Sequence, residues 1–136
     1  MRSRIEFGIE TGKQNIQSLL NKPRIRFGEL ELNILPRAPG VYLIYEKNDP
    51  VYVGSSTNIR RRVCYQLFNA RNHYFASHLI RYKFHNKVRF KDYLIRQCAV
   101  QYMETDGADE AKWIERFVAG AIRPIYNGGS KSFQND

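Results

Sequence analysis

The fold is decided by the stretch GVYLIYEKNDPVYVGSSTNIRRR, residues 40–62. Two runs within it, 40–46 and 51–53, are rich in β-branched and aromatic residues, which favour strands. The tetrapeptide KNDP between these runs contains residues that favour turns. The pattern therefore predicts an antiparallel β-hairpin.

The register of this hairpin decides which side chains share a face. With a turn centred near Asn48, Tyr42 lies opposite Gly54 and Ile44 lies opposite Tyr52. Side chains that are opposite each other, or two residues apart on one strand, point to the same face of a sheet. Both tyrosines are therefore expected on one face, where the glycine leaves open space beside Tyr42.

An amphipathic helix is expected directly after the hairpin. Residues 55–58 are SSTN, all of which are good helix N-cap residues. The apolar stripe that follows continues toward Asn69 and consists of Ile59, Val63 and Leu67. Successive helical residues lie about 100° apart, so the arginines at 60–62 fan around the helix and only Arg62 borders the stripe.

The remaining elements are predicted from periodicity and from helix and turn signals. Residues 13–22 have apolar side chains at helical spacing, and residues 23–36 alternate weakly, as in a second hairpin. A helix is expected over 74–84, a third strand over 98–105, and a last helix that Pro124 ends. Together these elements predict a mixed α/β (α+β) fold, in which helices flank a small three-stranded antiparallel sheet with a short N-terminal helical and hairpin arm.

The chain is expected to form a single structural domain. Its 136 residues, of which 43% are hydrophobic, suffice for one compact core. Residues 1–35 are predicted to be an N-terminal arm, which packs on the domain formed by residues 36–136.

The charge of the chain favours a polyanionic partner. Twenty-two Lys and Arg residues stand against thirteen Asp and Glu residues, which gives a formal net charge of +9. No apolar run approaches the roughly 20 residues of a bilayer span, and the N-terminus lacks the apolar core of a signal peptide. Cys64 and Cys98 lie outside any CxxC pattern and are expected to be reduced thiols. A cytoplasmic protein with no membrane association is therefore expected.

Five short elements carry a family resemblance. GVY stands at 40–42 and YVG at 52–54, and an arginine, Arg62, follows ten residues after the tyrosine of YVG. Glu115 and Asn127 stand twelve residues apart near the end of the chain. Either tripeptide alone is common in strands, but the five elements in this order and spacing are specific. In this combination the chain resembles the GIY-YIG nuclease superfamily over nearly the whole family domain.

The resemblance implies a DNA endonuclease that hydrolyses phosphodiester bonds and depends on Mg²⁺ (or Mn²⁺). It implies that Glu115 is the metal ligand, which agrees with the preference of hard cations for carboxylate oxygen. It implies that Arg62 binds the scissile phosphate, for which a permanently charged bidentate donor is well suited. Tyr42 would activate the attacking water or hold it in line, Tyr52 would help to position water or phosphate, and Asn127 would brace the site.

One position departs from the family pattern. Gln66 stands four residues after Arg62, where many relatives have a histidine or tyrosine that could transfer a proton. Glutamine cannot do so, and a tyrosine with a pKa near 10 is a poor base at pH 7. Three alternatives stay open: Tyr42 alone is the base, His73 or His78 reaches in, or activity is weak.

Further residues are expected to contact nucleic acid. Ser55 is expected to make a minor phosphate contact, and Arg60 and Arg61 to touch the backbone at most. The segment 71–91 contains three histidines and six Lys or Arg residues but no acidic residue, as a phosphate-tracking surface would. Its expected contact residues are His73, His78, Arg81, Lys83, Lys87 and Arg89. Three other residues of the segment are spaced for the core: Phe75, Leu79 and Tyr82.

Two other functions are compatible with the same residues. A nucleic-acid-binding module that has lost catalysis would also need the basic surface, and would explain the glutamine at position 66. A nuclease subunit could instead depend on a partner protein for its substrate. The sequence leaves monomer and homo-oligomer undecided, although a dimer would let a domain with one active site cut both strands of DNA.

Overall fold

The structure is a computed structural model that describes residues 3–128. Within these residues it contains five α-helices, four β-strands and four other helical segments. The α-helices are α1 (Arg4–Leu20), α2 (Tyr74–Leu79), α3 (Lys87–Gln97), α4 (Ala108–Ile122) and α5 (Ile125–Gly128). The strands are β1 (Ile25–Arg26), β2 (Gly40–Glu46), β3 (Asp49–Ser56) and β4 (Cys98–Glu104). The other segments are 3₁₀ turns at Phe27–Glu29 and Leu32–Ile34, and π-helical segments at Arg61–Leu67 and Ile80–Phe84.

The four strands form one antiparallel sheet. Their order is β1-β4-β2-β3, so β2 and β4 are central and β3 is an edge strand. Helices α1 and α4 pack on one face, and α2, α3 and the first π-helical segment pack on the other. The predicted α+β class is confirmed, and β2, β3 and β4 are the three predicted strands.

The fourth strand, β1, takes the place of the expected N-terminal hairpin. Ile25 pairs with Val100 of β4, and Arg26 pairs with Ala99. The residues after β1 form 3₁₀ turns rather than a returning strand. The prediction of a hairpin over 23–36 is therefore wrong, because the edge of β4 supplies backbone partners that local alternation does not reveal.

The central hairpin has the predicted register. Tyr42 pairs with Gly54, and Ile44 pairs with Tyr52. The two tyrosine rings share one face of the sheet, with their centroids 6.3 Å apart. A Cβ atom at Gly54 would overlap the ring and hydroxyl of Tyr42, so only glycine admits the tyrosine in this position.

Each face of the sheet covers its own apolar core. The core under α4 includes Leu19, Val41, Leu43, Val53, Ile114 and Val118. The core under α2 and α3 includes Tyr42, Ile44, Ile59, Val63, Leu67, Phe75, Phe90 and Leu94. The burial of the stripe predicted after the hairpin is thereby confirmed. Both cysteines are free thiols, of which Cys98 is buried and Cys64 half-buried.

Helix α1 is longer than the helix predicted over 13–22. It begins at Arg4, because the side chain of Ser3 accepts a hydrogen bond from the backbone N–H of Glu6 at 3.1 Å and so caps the helix.

Helix α3 has no counterpart among the predicted elements. Its N-cap is Asn86, whose side chain accepts hydrogen bonds from two backbone N–H groups in the first turn. Its buried face carries Phe90, Tyr93 and Leu94, which have helical spacing.

The helix predicted over 74–84 consists of α2 and the second π-helical segment. In that segment the backbone N–H of His85 donates to the C=O of Ile80, five residues back. This wider turn rotates later side chains relative to an α-helix. The two earlier members of the predicted core triad are buried, but Tyr82 is 46% exposed, so its assignment to the core is wrong.

The division into arm and domain stays a prediction. Both α1 and β1, which fall within residues 1–35, pack on the same sheet as the rest of the fold. Residues 1–2 of the arm and 129–136 of the domain lie outside the described residues. Between residues 3 and 128, no helix combines the length and the apolar character needed to cross a bilayer.

Candidate active site

Tyr42 lies at the centre of the site, in the middle of β2. Its side chain is fully buried, and its hydroxyl lies 2.7 Å from Nε2 of His73. His73 directly precedes α2 and is 1% exposed. We assign the donor to the phenol and the acceptor to Nε2, which places the imidazole proton on Nδ1. That Nδ1 atom has no hydrogen-bond partner among residues 3–128.

Burial keeps both members of this pair neutral. It raises the pKa of Tyr42 above its usual value; the phenol of Tyr52 adds to the rise, and Arg62 opposes it. Burial also lowers the pKa of His73 to about 3, with the positive charge of Arg62 as the second cause. At pH 7 the pair is therefore a neutral phenol bonded to a neutral imidazole.

Tyr52 lies beside this pair on the edge strand. Its ring centroid is 6.3 Å from that of Tyr42 and 5.6 Å from that of His73. It also stacks on Phe75, with the centroids 5.1 Å apart. Burial raises the pKa of Tyr52 to about 12, with the Glu115 carboxylate as the second cause. This phenol therefore stays protonated at neutral pH and acts as a hydrogen-bonding group.

Arg62 is held in place by two acceptors. Its Nη1 donates to Oε1 of Gln66 at 3.1 Å and to the backbone C=O of Asn72 at 2.8 Å. Asn72 and Ala70 have positive φ angles of 49° and 54°, so the loop between them turns sharply before α2. Gln66, which departs from the family pattern, therefore orients the arginine.

The acidic part of the site lies on the opposite face of β3. Ser55, near the end of this strand, donates a hydrogen bond to Oε1 of Glu115 on α4 at 2.7 Å. Glu115 is half-buried, and its second oxygen, Oε2, has no hydrogen-bond donor within the described part of the chain. Ser55, Arg62 and Gln66 line an open cleft of about 300 Å³ between the first π-helical segment and the start of α4.

The Glu115 carboxylate fits a hard divalent cation. Mg²⁺ is usually bound through one or two carboxylates, several waters and substrate phosphates. No group of three or more His, Cys, Asp or Glu side chains is placed to hold a metal ion in residues 3–128. A cation would therefore be coordinated by Glu115 together with water and phosphate oxygens. The three histidines do not form a zinc site.

Asn127 attaches α5 to the edge of the sheet. Its Oδ1 accepts a hydrogen bond from the backbone N–H of Val53 at 2.7 Å, and its Nδ2 donates to the C=O of the same residue at 3.0 Å. The side-chain amide thus takes the place of the neighbouring strand that β3 lacks on this side. Val53 lies between Tyr52 and Gly54, so Asn127 fixes the part of β3 that shapes the tyrosine pair.

The residues expected to contact nucleic acid lie in different surroundings. His73 does not fit such a contact, because it is buried against Tyr42. Arg60 is directed inward, since its Nε donates to the C=O of Leu35 at 2.7 Å. Arg61 and Ser55 line the cleft. The other expected contact residues are half-buried His78 and the exposed side chains Arg81, Lys83, Lys87 and Arg89.

Two features of the site were missed by sequence reasoning, and a third was left open. The hydrogen bond from Arg62 to Gln66 has a weak signal, the spacing of four residues. The hydrogen bond from Arg62 to the Asn72 carbonyl has no sequence signal, since any residue supplies a backbone oxygen. The position of His73 beside Tyr42 was one of the alternatives left open, because the basic residues around it in the sequence also favoured a nucleic-acid contact.

The family of the chain follows from the comparison with protein-family models. The model of the GIY-YIG catalytic domain matches residues 38–117, which are more than half of the chain. The chain therefore belongs to the GIY-YIG family, as the sequence motifs predicted. The matched residues include Tyr42, Tyr52 and Glu115, whereas Asn127 lies beyond them.

Among individual proteins, the chain is similar to UvrABC system protein C of Clostridium tetani, with 32% identity over 100 residues. This match covers 73% of the chain but 14% of that protein, so the chain spans a small part of its relative's length. The N-terminal GIY-YIG endonuclease domain of UvrC from Thermotoga maritima, solved with magnesium, is 19% identical, with a TM-score of 0.49 over 70% of this chain and 89% of that one. A point mutant of that domain, bound to the catalytic divalent cation, gives 18% identity and a TM-score of 0.49 over 70% and 88%.

Proposed function

We propose that this chain is a Mg²⁺-dependent DNA endonuclease that hydrolyses phosphodiester bonds at the cleft beside β3. The observation that carries the proposal is the convergence of complementary groups around one edge strand. The buried pair of Tyr42 and His73 lies on one face of the sheet, close to Arg62. On the other face Glu115 accepts a hydrogen bond from Ser55, which lines the same cleft as Arg62. Membership in the GIY-YIG family and the net charge of +9 support a nuclease with a polyanionic substrate.

Arg62 is proposed to bind the scissile phosphate. Within the described residues its hydrogen bonds to Gln66 and Asn72 both use Nη1. A guanidinium has five N–H donors, so Nε and Nη2 keep donors for phosphate oxygens while Nη1 fixes the direction of the group. The arginine is therefore preorganised for the negative charge that develops on the phosphoryl oxygens.

Tyr42 and His73 are proposed to act on the attacking water. Because the phenol donates its own proton to Nε2, its oxygen offers lone pairs to a water molecule. As the water oxygen bonds to phosphorus, one proton moves from water to the phenol and the phenol proton moves to Nε2. The leaving oxygen departs with the electron pair of the broken bond and takes its proton from solvent water.

The high pKa of a phenol does not prevent this relay. Tyr42 receives one proton as it gives up another, so no tyrosinate accumulates. Arg62 is one of the two causes that lower the pKa of His73, so a phosphate anion bound to Arg62 favours protonation of the imidazole. Mg²⁺, when bound at Glu115, would stabilise the negative charge on the phosphorane and the leaving oxygen.

A plasmid assay tests the proposal. Purified protein is incubated with supercoiled plasmid and with a labelled forked oligonucleotide, in Mg²⁺ and in EDTA, beside Glu115→Gln. Nicked product is expected before linear product, because one active site cuts one strand per encounter. Both EDTA and Glu115→Gln are expected to abolish cutting. The matched control is Glu110→Gln, which changes an exposed acid on the same helix and should cut normally.

The alternatives give different results. Protein that binds both DNAs in EDTA but cuts neither in Mg²⁺ would contradict the nuclease proposal and indicate a binding module. Cutting that begins only when a cell extract is added would indicate a partner-dependent subunit. Cutting that survives Glu115→Gln would remove this residue as the metal ligand.

A further inference from the structure

An aromatic stripe runs along the surface of α2 and the second π-helical segment. It consists of Tyr74, His78 and Tyr82, which are spaced four residues apart. Tyr74 and His78 stack nearly parallel, with centroids 6.3 Å apart and planes at 21°, and His78 and Tyr82 lie 4.9 Å apart. The two tyrosines are 44% and 46% exposed.

Core packing does not account for this stripe. The same stretch of helix buries a different set of side chains, namely Phe75, Ala76 and Leu79. The tyrosines of the stripe therefore leave much of their ring surface to solvent, on a face that the hydrophobic core does not use. Three neighbouring rings on one exposed helix face form a platform with a shape that flat ligands can match.

The stripe begins at the candidate active site. Tyr74 directly follows His73, the buried partner of Tyr42. It also lies near enough to Tyr52 to contribute to the raised pKa of that phenol. At the middle of the stripe, Tyr126 packs 6.0 Å from His78 and directly precedes Asn127. A strand whose phosphate lies in the site could therefore reach the platform within its next nucleotides.

The charge around the stripe matches a nucleic-acid strand. Residues 71–91 contain six Lys or Arg residues and no acid. The guanidinium of Arg81 lies 5.2 Å from the ring centroid of Tyr82, and Lys83 projects from the same segment. Aromatic rings beside cations are the usual combination in sites for single strands, where bases stack on the rings and phosphates meet the charges.

We propose that this stripe stacks unpaired bases next to the cleavage site, so that the preferred DNA is single-stranded, forked or looped. The inference rests on the proposed function, since it names the substrate class of the same site. Paired bases in a duplex already stack on one another and cannot present their faces, whereas an unpaired base can lie flat on a tyrosine. The stripe therefore distinguishes unpaired bases from paired bases, and it does not distinguish one base type from another.

Binding measured without cutting tests this inference separately from catalysis. Fluorescence anisotropy in EDTA compares a labelled single strand with its duplex for Tyr74→Ala, Tyr82→Ala and the double variant. Each single variant is expected to weaken single-strand binding by about fivefold or more and duplex binding by less than about twofold. Tyr82→Phe, which keeps the ring, should bind like the unchanged protein.

The matched control is Tyr65→Ala, which removes a tyrosine of similar exposure, 47%, from the first π-helical segment. It should leave the preference for single strands unchanged. Equal losses on single strand and duplex, or no loss on either, would overturn the inference even if Mg²⁺-dependent cutting is observed. A selective loss on single strands in a protein that does not cut would support the stripe while contradicting the nuclease proposal.

Discussion

Tyr42 and His73 form one buried hydrogen-bonded pair across 31 residues of sequence, with 2.7 Å between the phenol oxygen and Nε2. The pair ties the central strand β2 to the loop that precedes α2. The hydroxyl and Nε2 are hydrogen-bonded to each other where both side chains are buried, so removing either group leaves a further buried polar atom unpaired. The same contact therefore contributes to stability and leaves the phenol oxygen able to accept a proton.

The first prediction concerns the pH dependence of stability. The pKa of His73 is about 3 in the folded protein and near 6.5 when unfolded, so the unfolded chain binds more protons between these values. Stability contributed by the neutral histidine is therefore lost as pH falls below about 6.5. Between pH 7 and pH 4.5 protonation of this residue in the unfolded chain should lower the free energy of unfolding by about 2.5 kcal/mol.

Urea unfolding at the two pH values measures this loss. His73→Gln should remove most of the pH dependence, while lowering stability at pH 7. The control is His85→Asn, which replaces an exposed histidine at a positive φ angle that asparagine tolerates. An unchanged pH dependence in His73→Gln would show that this histidine does not stay neutral in the folded protein.

The second prediction concerns the hydroxyl of Tyr42. Tyr42→Phe keeps the ring but leaves Nε2 of His73 without a donor, which should cost about 1–3 kcal/mol. Cutting should fall by about a hundredfold or more, because the proton relay is broken. Tyr102→Phe is the matched control, since Tyr102 pairs with Tyr42 across the sheet but its hydroxyl donates to the backbone C=O of Ile34 and not to His73. Cutting by Tyr42→Phe at the normal rate would exclude the phenol from the reaction.

The third prediction concerns the glycine opposite Tyr42. In Gly54→Ala the new methyl group would overlap the Tyr42 ring and hydroxyl, so the ring must move within a packed core. Overpacking of this kind costs about 1–3 kcal/mol. The displaced phenol should also lose its hydrogen bond to His73, and cutting should fall with it. Gly120→Ala is the control, because a Cβ atom there meets no neighbouring atom within 4 Å.

The fourth prediction concerns Gln66 as a positioning residue. Gln66→Ala removes one of the two acceptors that fix Nη1 of Arg62, so the guanidinium gains freedom. The turnover rate should fall about tenfold or more, whereas DNA affinity measured in EDTA should change by less than about twofold. Gln66→His tests the family pattern at the same place. If a histidine raises turnover above that of the unchanged protein, proton transfer at this position is limiting.

The hairpin and its tyrosines could be predicted from sequence because local rules determine them. A period of two and a turn near Asn48 predict a register in which Tyr42 meets Gly54. The structure has that pairing, with a shift of register between Ile44 and Tyr45 nearer the turn. Strand β1 could not be predicted in this way. Its two residues pair with Val100 and Ala99 of a distant strand, and no local pattern encodes that partner.

Other differences arise from the helices. The position of Tyr82 on the surface depends on a π-helical turn, and a wheel of α-helical period places it in the core instead. Likewise, the role of Gln66 appears only when its Oε1 is seen at 3.1 Å from Arg62. A comparison with family motifs can treat this glutamine only as a missing proton donor. Residue types predict chemistry, but tertiary contacts decide which group orients which.

The last prediction tests whether Asn127 only holds β3 in place or takes part in the reaction. Asn127→Ala removes two hydrogen bonds to Val53 at the edge of β3, which should lower the free energy of unfolding by about 1–2 kcal/mol. Asn127→Asp keeps the acceptor for the Val53 N–H but places a carboxylate oxygen against the Val53 C=O, so it should not restore the stability. Urea unfolding measures both effects. If Asn127 is a brace, the folded fraction of Asn127→Ala should still cut DNA, at a reduced rate because β3 is less firmly held. Lowering the temperature should restore part of that rate. A complete loss of cutting with unchanged stability would contradict this role and place the amide among the groups that touch the substrate.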